Sequence, residues 1–295
     1  MPKRTFPIAA IAAAALALAA CGGTVPASEP AAEPPPEPPA ATTEEPAGFL
    51  YPTDPGTVVL DVTTGGGFVP VEVAVDTRPD FRLYGDGTVL VKPADETQPG
   101  FPALETYRLS PDGIQTVLTE AESAGLLAPA PDYGQPPVSD MPTTTLAISL
   151  DDGSYAHSAY ALGFEDTSGL TPAQLEARER YQGFTSYLAA LDTDHPELLE
   201  AEPAPYEPEA VRVYAWESQV TPEQAAPAWP LGDDIASWPE EPGFGARCET
   251  ISGPDLDTLT ASIADQPWPY AWQSGGTTWS TGIALQLPGD PGCAA

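Results

Sequence analysis

The chain has 295 residues, of which 43 are acidic and only 10 are lysine or arginine, giving a formal net charge of −33; 38 residues are proline. A surface of that sign repels the phosphate backbone, so nucleic-acid binding is excluded, and adhesion to anionic headgroups through a basic patch is disfavoured for the same reason. The roughly 240 residues beyond the proline-rich start suffice for one large core or two modest ones.

Lys3 and Arg4 precede a short apolar run, Ile8–Ala20, and Leu18-Ala19-Ala20-Cys21 closes it with small residues before a cysteine. A membrane-spanning helix needs about 20 apolar residues, so 1–20 is predicted to be a cleaved signal peptide and not an anchor helix. The quartet resembles the lipobox of bacterial lipoproteins, a likeness that covers only this leader. It implies that Cys21 becomes the first residue of the mature chain and carries a diacylglyceryl group and further acyl chains such as palmitate. Two or more acyl chains on one residue meet the requirement for stable anchoring. The expected location is therefore the extracytoplasmic face of the cell membrane, with the lipid bilayer engaged through Cys21.

Gly22 to Gly48 contains eight prolines, five glutamates and no lysine or arginine. Such chain favours extended polyproline II at about 3.1 Å per residue and has little to pack. Residues 21–56 are accordingly predicted to be a lipidated cysteine followed by a disordered tether. The acidity reads as solubility: Asp192-x-Asp194 runs into Pro196 and lacks the rest of a calcium loop.

Two modules are expected after the tether, over 57–196 and 209–295, joined by a Glu/Ala/Pro-rich linker at 197–208. In the first, Thr57–Val62 and the alternating Val71–Asp76 read as half-buried strands. Phe81–Tyr84 and Thr88–Val91 flank Gly85-Asp86-Gly87, a hairpin signature. Ser110-Pro111 caps a helix with the stripe Ile114, Val117, Leu118 and Ala121, ended by Gly125. A second hairpin joins Thr144–Leu150 to Tyr155–Ala161. Thr171-Pro172 opens a longer helix, with Thr171 and Gln174 as a capping box and the stripe Leu175, Tyr181, Phe184, Leu188 and Leu191. In the second module Val211–Trp216, Phe244–Ile251 and Trp279–Leu287 read as strands, with a helix opening at Gly253-Pro254. Strand, proline-capped helix and hairpin thus occur twice, over 107–161 and 248–287, as in an internal duplication. The fold class that follows is α+β, mainly antiparallel sheets with hairpins packed by a few amphipathic helices.

Once Cys21 is acylated, Cys248 and Cys293 are the remaining cysteines, and an exported chain matures in an oxidising compartment; a disulfide between them is predicted. His157 alternates with Tyr155 and Ala159 on a strand, and His195 precedes Pro196; neither stands in His-Glu-x-x-His, and no nucleophile elbow, Ser-x-x-Lys pair or Walker loop occurs. No catalytic residue, metal ligand or cofactor is assigned. Paired carboxylates of the glycosidase kind stay open, since only geometry selects a pair among so many acids.

All six tryptophans lie in the final eighty residues. Exposed indoles beside carboxylates stack on sugars, which makes Trp268, Trp272 and Trp279 candidate ligand-stacking residues; the commoner use of large rings is to fill a core. The lipobox, the acidic tether, and segments such as Phe81–Val91 (FRLYGDGTVLV) and Ser139–Leu146 (SDMPTTTL) resemble uncharacterised lipoproteins of high-GC Gram-positive bacteria. That resemblance implies no reaction. The expectation is a non-enzymatic binding or interaction role toward an envelope protein or glycan, the alternative being a carbohydrate-acting or glycan-binding protein that uses tryptophan and paired carboxylates.

Overall fold

In the computed structural model, residues 48–93, 101–218, 226–264, 266 and 268–293 are described; the expected signal peptide, Cys21 and the run to residue 47 lie outside them. Seven antiparallel strands build the first sheet: β1 (Val58–Gly65), β2 (Phe81–Tyr84), β3 (Thr88–Val91), β4 (Glu105–Leu109), β5 (Thr143–Leu150), β6 (Gly153–Tyr160) and β7 (Leu199–Pro205), in the order β6-β5-β1-β2-β3-β4-β7. The β2–β3 turn needs both of its glycines. A Cβ on Gly85 would stand 2.2 Å from the Pro52 carbonyl oxygen, and Gly87, at φ +89°, would place one 2.6 Å from that of Leu109. Asp86 completes the turn by accepting from the Thr88 amide at 3.0 Å.

Two helices cover one face of this sheet. In α2 (Pro111–Ser123), Ser110 Oγ accepts from the Gly113 amide at 3.0 Å, and Ile114, Val117, Leu118 and Ala121 are buried as the stripe requires. The reciprocal capping box forms at the start of α3 (Pro172–Ala189), and Tyr181, Phe184 and Leu188 enter the same core as Phe81, Leu83, Leu146 and Ile148. A short helix, α4 (Leu191–Asp194), follows.

The second sheet comprises β8 (Ala210–Glu217), β9 (Glu240–Glu241), β10 (Ala246–Ser252), β11 (Tyr270–Ser274) and β12 (Thr277–Leu285), all antiparallel, in the order β11-β12-β8-β10-β9. One of its faces packs against α5 (Pro254–Ile263) and against Tyr84, Leu90 and Leu104 of the first sheet's region in one apolar cluster. Because β2 is packed from both sides, all four of its residues are buried and none alternates outward. The fold is α+β with mainly antiparallel sheets. Residues 47–295 form one compact unit, and no described helix is long and apolar enough to cross a membrane.

Several expectations are corrected. Val71–Asp76 is not a strand: Val71–Ala74 is one turn of helix, α1, following Pro70. Alternation over so few residues does not separate a period of 2 from 3.6, and burial of Val75 against β12 decides the outcome. The supposed linker 197–208 contains β7, whose prolines are tolerated because an edge strand forms a ladder on one side only. The end of the supposed tether is docked: the Phe49 amide donates to Gln115 Oε1 at 2.7 Å, and the Leu50 carbonyl accepts from the Asp151 amide at 2.9 Å. The repeated element order does not become a repeated topology. The β5–β6 hairpin adds its first strand to the sheet and leaves its second at the edge, whereas β11–β12 does the reverse.

Candidate functional site

The helices cover one face of the first sheet and the second sheet covers the other over β2 and β3, leaving the β1–β5–β6 end of that other face open. There Thr145, Ala147, Ser154, Ala156 and Ser158 are exposed, small and uncharged. A cleft of about 670 Å³ runs along this end, floored by Thr145, Ala147, Ala156 and Ser158, with Asp61 and the loop Ala130–Gln135 among its walls. Asp132 on that loop accepts from the Gly134 amide and from Gln174 Nε2, both at 2.8 Å, which holds its carboxyl below the usual range.

Behind the cleft lies a buried polar cluster. The Leu126 carbonyl can only accept, so His157 donates from Nε2 at 3.0 Å, and its Nδ1 accepts from the Tyr133 hydroxyl at 2.7 Å. Burial favours the neutral ring and lowers its pKa from 6.5; burial likewise pushes the Tyr133 hydroxyl up to about 12, keeping it a donor. The buried Arg178 guanidinium donates to the carbonyls of Tyr133 (3.3 Å), Tyr160 (2.9 Å) and Ala161, stitching the loop to the end of β6. With both ring nitrogens engaged, His157 holds a loop in place and is not available as a base. His195 is exposed and sits beside Glu197 at 3.4 Å.

Arg82 marks the inner limit of the open face. Its Nε donates to Asp61 and its Nη1 to Asp290, each at 2.8 Å. Burial opposes its charge, but the two carboxylates outweigh burial and raise its pKa. The other basic side chains among the described residues are engaged as well: Arg78 with Asp76, Lys92 with Asp80, Arg108 with Glu200, Arg180 with Glu176, Arg247 with the Trp238 carbonyl, and Arg212 over the Tyr214 ring.

The tryptophans are mostly interior. Trp272 and Trp279 are 1% and 2% exposed, and their indole N–H groups donate to Thr281 Oγ1 and the Ser274 carbonyl; Trp268 is half-buried against the same core. The candidate stacking residues Trp272 and Trp279 therefore offer no free ring face. Asp233 accepts from the indoles of both Trp229 and Trp238. Trp216 is half-exposed beside Glu217 and Glu240 in a second cleft of about 380 Å³, and its ring stacks on Tyr214. Cys248 and Cys293 are disulfide-bonded as predicted. Among the described residues no three His, Cys, Asp or Glu side chains gather as a metal site. Tyr133, Arg82 and Arg178 went unpredicted, because their partners lie 24, 208 and 17 or more residues away and no local pattern marks such pairs.

No protein-family model matches the chain, and searches of curated proteins and of solved structures also return no significant match.

Proposed function

We propose that the protein is a cell-envelope lipoprotein, held to the outer face of the membrane through acylated Cys21, whose acidic body binds a partner and does not catalyse a reaction. The observation that carries this reading is the quartet Leu18-Ala19-Ala20-Cys21, which closes an apolar run preceded by Lys3 and Arg4 and followed by a proline- and glutamate-rich stretch. The Cys248–Cys293 disulfide supports it, since such bonds persist in oxidising compartments, and it leaves Cys21 as the one cysteine outside a bridge. The binding role is supported by the open end of the first sheet, and the engagement of both ring nitrogens of His157 removes that one side chain as a candidate base. Detergent-phase partitioning of wild type against Cys21→Ala tests the anchor: wild type is expected in the detergent phase and the variant in the aqueous phase.

A further inference from the structure

The two sheets have four edges, and three are guarded against pairing with another strand. β7 carries Glu200, Glu202, Pro203 and Pro205; β9 is two glutamates long; β11 is flanked by the 227–229 segment, where the Gln273 amide donates to the Pro227 carbonyl at 2.7 Å and its carbonyl accepts from the Trp229 amide at 2.9 Å. Charge, proline, brevity and cover are the usual means of blunting an edge. β6 lacks charge, proline and brevity, and the loop Ala130–Gln135 that lines the same cleft makes no hydrogen bond to its outward main-chain groups. Gly153–Tyr160 is eight residues with no proline, no acidic or basic residue except the buried His157, and no bulge against β5.

The register shows which groups β6 leaves free. The two-residue turn Asp151-Asp152 closes on the hydrogen-bonded pair Leu150 and Gly153, and alternation then makes Tyr155, His157 and Ala159 the residues bonded to β5. The N–H and C=O groups of Ser154, Ala156 and Ser158 point outward. Those three residues are the exposed ones, and among the described residues no backbone or side-chain group hydrogen-bonds them from outside.

We propose that β6 is a strand-addition site for an extended, lysine- or arginine-bearing segment of a partner protein. The added strand takes its main-chain hydrogen bonds from Ser154, Ala156 and Ser158. The small side chains of these residues, with Thr145 and Ala147 behind them, leave room for long side chains on the open face. Charge selects the partner: Asp132 lines the same cleft as Ala156 and Ser158, Asp151 and Asp152 are exposed at the end of β6, and each basic side chain near the cleft is already engaged, Arg82 by Asp61 and Asp290 and Arg178 by carbonyls. A second copy is the poorer occupant, because edge-to-edge pairing of two such acidic bodies is repulsive. The chain's own 22–48 run is poorer still, since its charged side chains are all carboxylates and its eight prolines lack N–H. This inference deepens the binding role proposed above and rests on it, while being independent of the anchor.

The test uses the mature chain from Cys21 onward in detergent, with three labelled peptides: alternating lysine and valine, alternating glutamate and valine, and the lysine–valine peptide N-methylated at every backbone amide. The lysine–valine peptide is expected to bind and to slow hydrogen exchange at the Ser154, Ala156 and Ser158 amides, while the other two are not. Ala156→Pro removes an outward donor that β5 does not use and should weaken binding about tenfold, the worth of one good hydrogen bond. Should that variant misfold, Ala156→Lys on the exposed face weakens the same peptide by like charge. Equal binding of the N-methylated peptide, protection at other amides, or binding unchanged in a folded Ala156 variant overturns the proposal. So does protection of these amides without peptide in a chain that sediments as a dimer. None of these outcomes moves the detergent partitioning of Cys21, so the two readings fail separately.

Discussion

Arg82 on β2 donates to Asp290, 208 residues further along the chain, at 2.8 Å, while its other side holds Asp61 on β1. One guanidinium thereby ties the C-terminal tail to the centre of the first sheet. The side chain is 11% exposed and its partners 25% and 22%, so water compensates the carboxylates only in part. Arg82→Met should cost about 3 kcal/mol, the low end for breaking a buried pair from one side. Urea unfolding measures it, and a loss below about 1 kcal/mol would mean that solvent replaces the guanidinium.

Gly282→Ala should destabilise by about 1–3 kcal/mol through overpacking. A Cβ there would lie 2.6 Å from Val75 Cγ2 and 2.7 Å from the Glu72 carbonyl oxygen, so α1 must lift from β12. The Ser280 hydroxyl, which donates to Glu72 at 2.6 Å, lifts with it. Gly243→Ala meets nothing within 4 Å and is the neutral control in the same thermal melt.

The His157 imidazole titrates below its ordinary 6.5 in the folded chain. As pH falls, the unfolded chain takes up this proton first, so stability drops from about pH 6.5 downward until the folded ring also protonates. Subtracting the stability profile of His157→Asn from that of wild type should show this slope, and parallel profiles would contradict it. Tyr133→Phe leaves Nδ1 without its donor at a buried site and should cost about 1–3 kcal/mol.

The disulfide closes a loop with a sequence separation of 45, for which loop-closure entropy gives about 4 kcal/mol at most. Tyr84, Leu90 and Leu104 share a core with the second sheet, so reduction should lower one common unfolding transition and not detach the C-terminal portion alone. Calorimetry with and without reductant distinguishes the two; a lowered second transition beside an unmoved first one would restore the independent modules that the sequence suggests.

Local rules made much of the fold legible. Ser110-Pro111 and the Thr171/Gln174 box name their helices, the Gly85-Asp86-Gly87 turn names its hairpin, and the stripes of α2 and α3 name the core they enter. What stayed hidden depends on distant partners. β7 reads as a linker because its composition is that of an exposed edge, and Val71–Asp76 reads as a strand because β12 decides its burial. Of the open end of the first sheet, the alternation of β6 was visible, with His157 on one side and Ser154, Ala156 and Ser158 on the other. Which side faced the helices was not, because neither set of residues is strongly apolar.

The central claim is that Cys21 is the acylated first residue of the mature protein, and mass spectrometry of its N-terminal peptide, from membranes of cells expressing the full chain, tests it most directly. The predicted result is a peptide that begins at Cys21 and carries the added mass of a diacylglyceryl group. A peptide in which Cys21 bears a free thiol, or one that still includes Lys3 and Arg4, would contradict it.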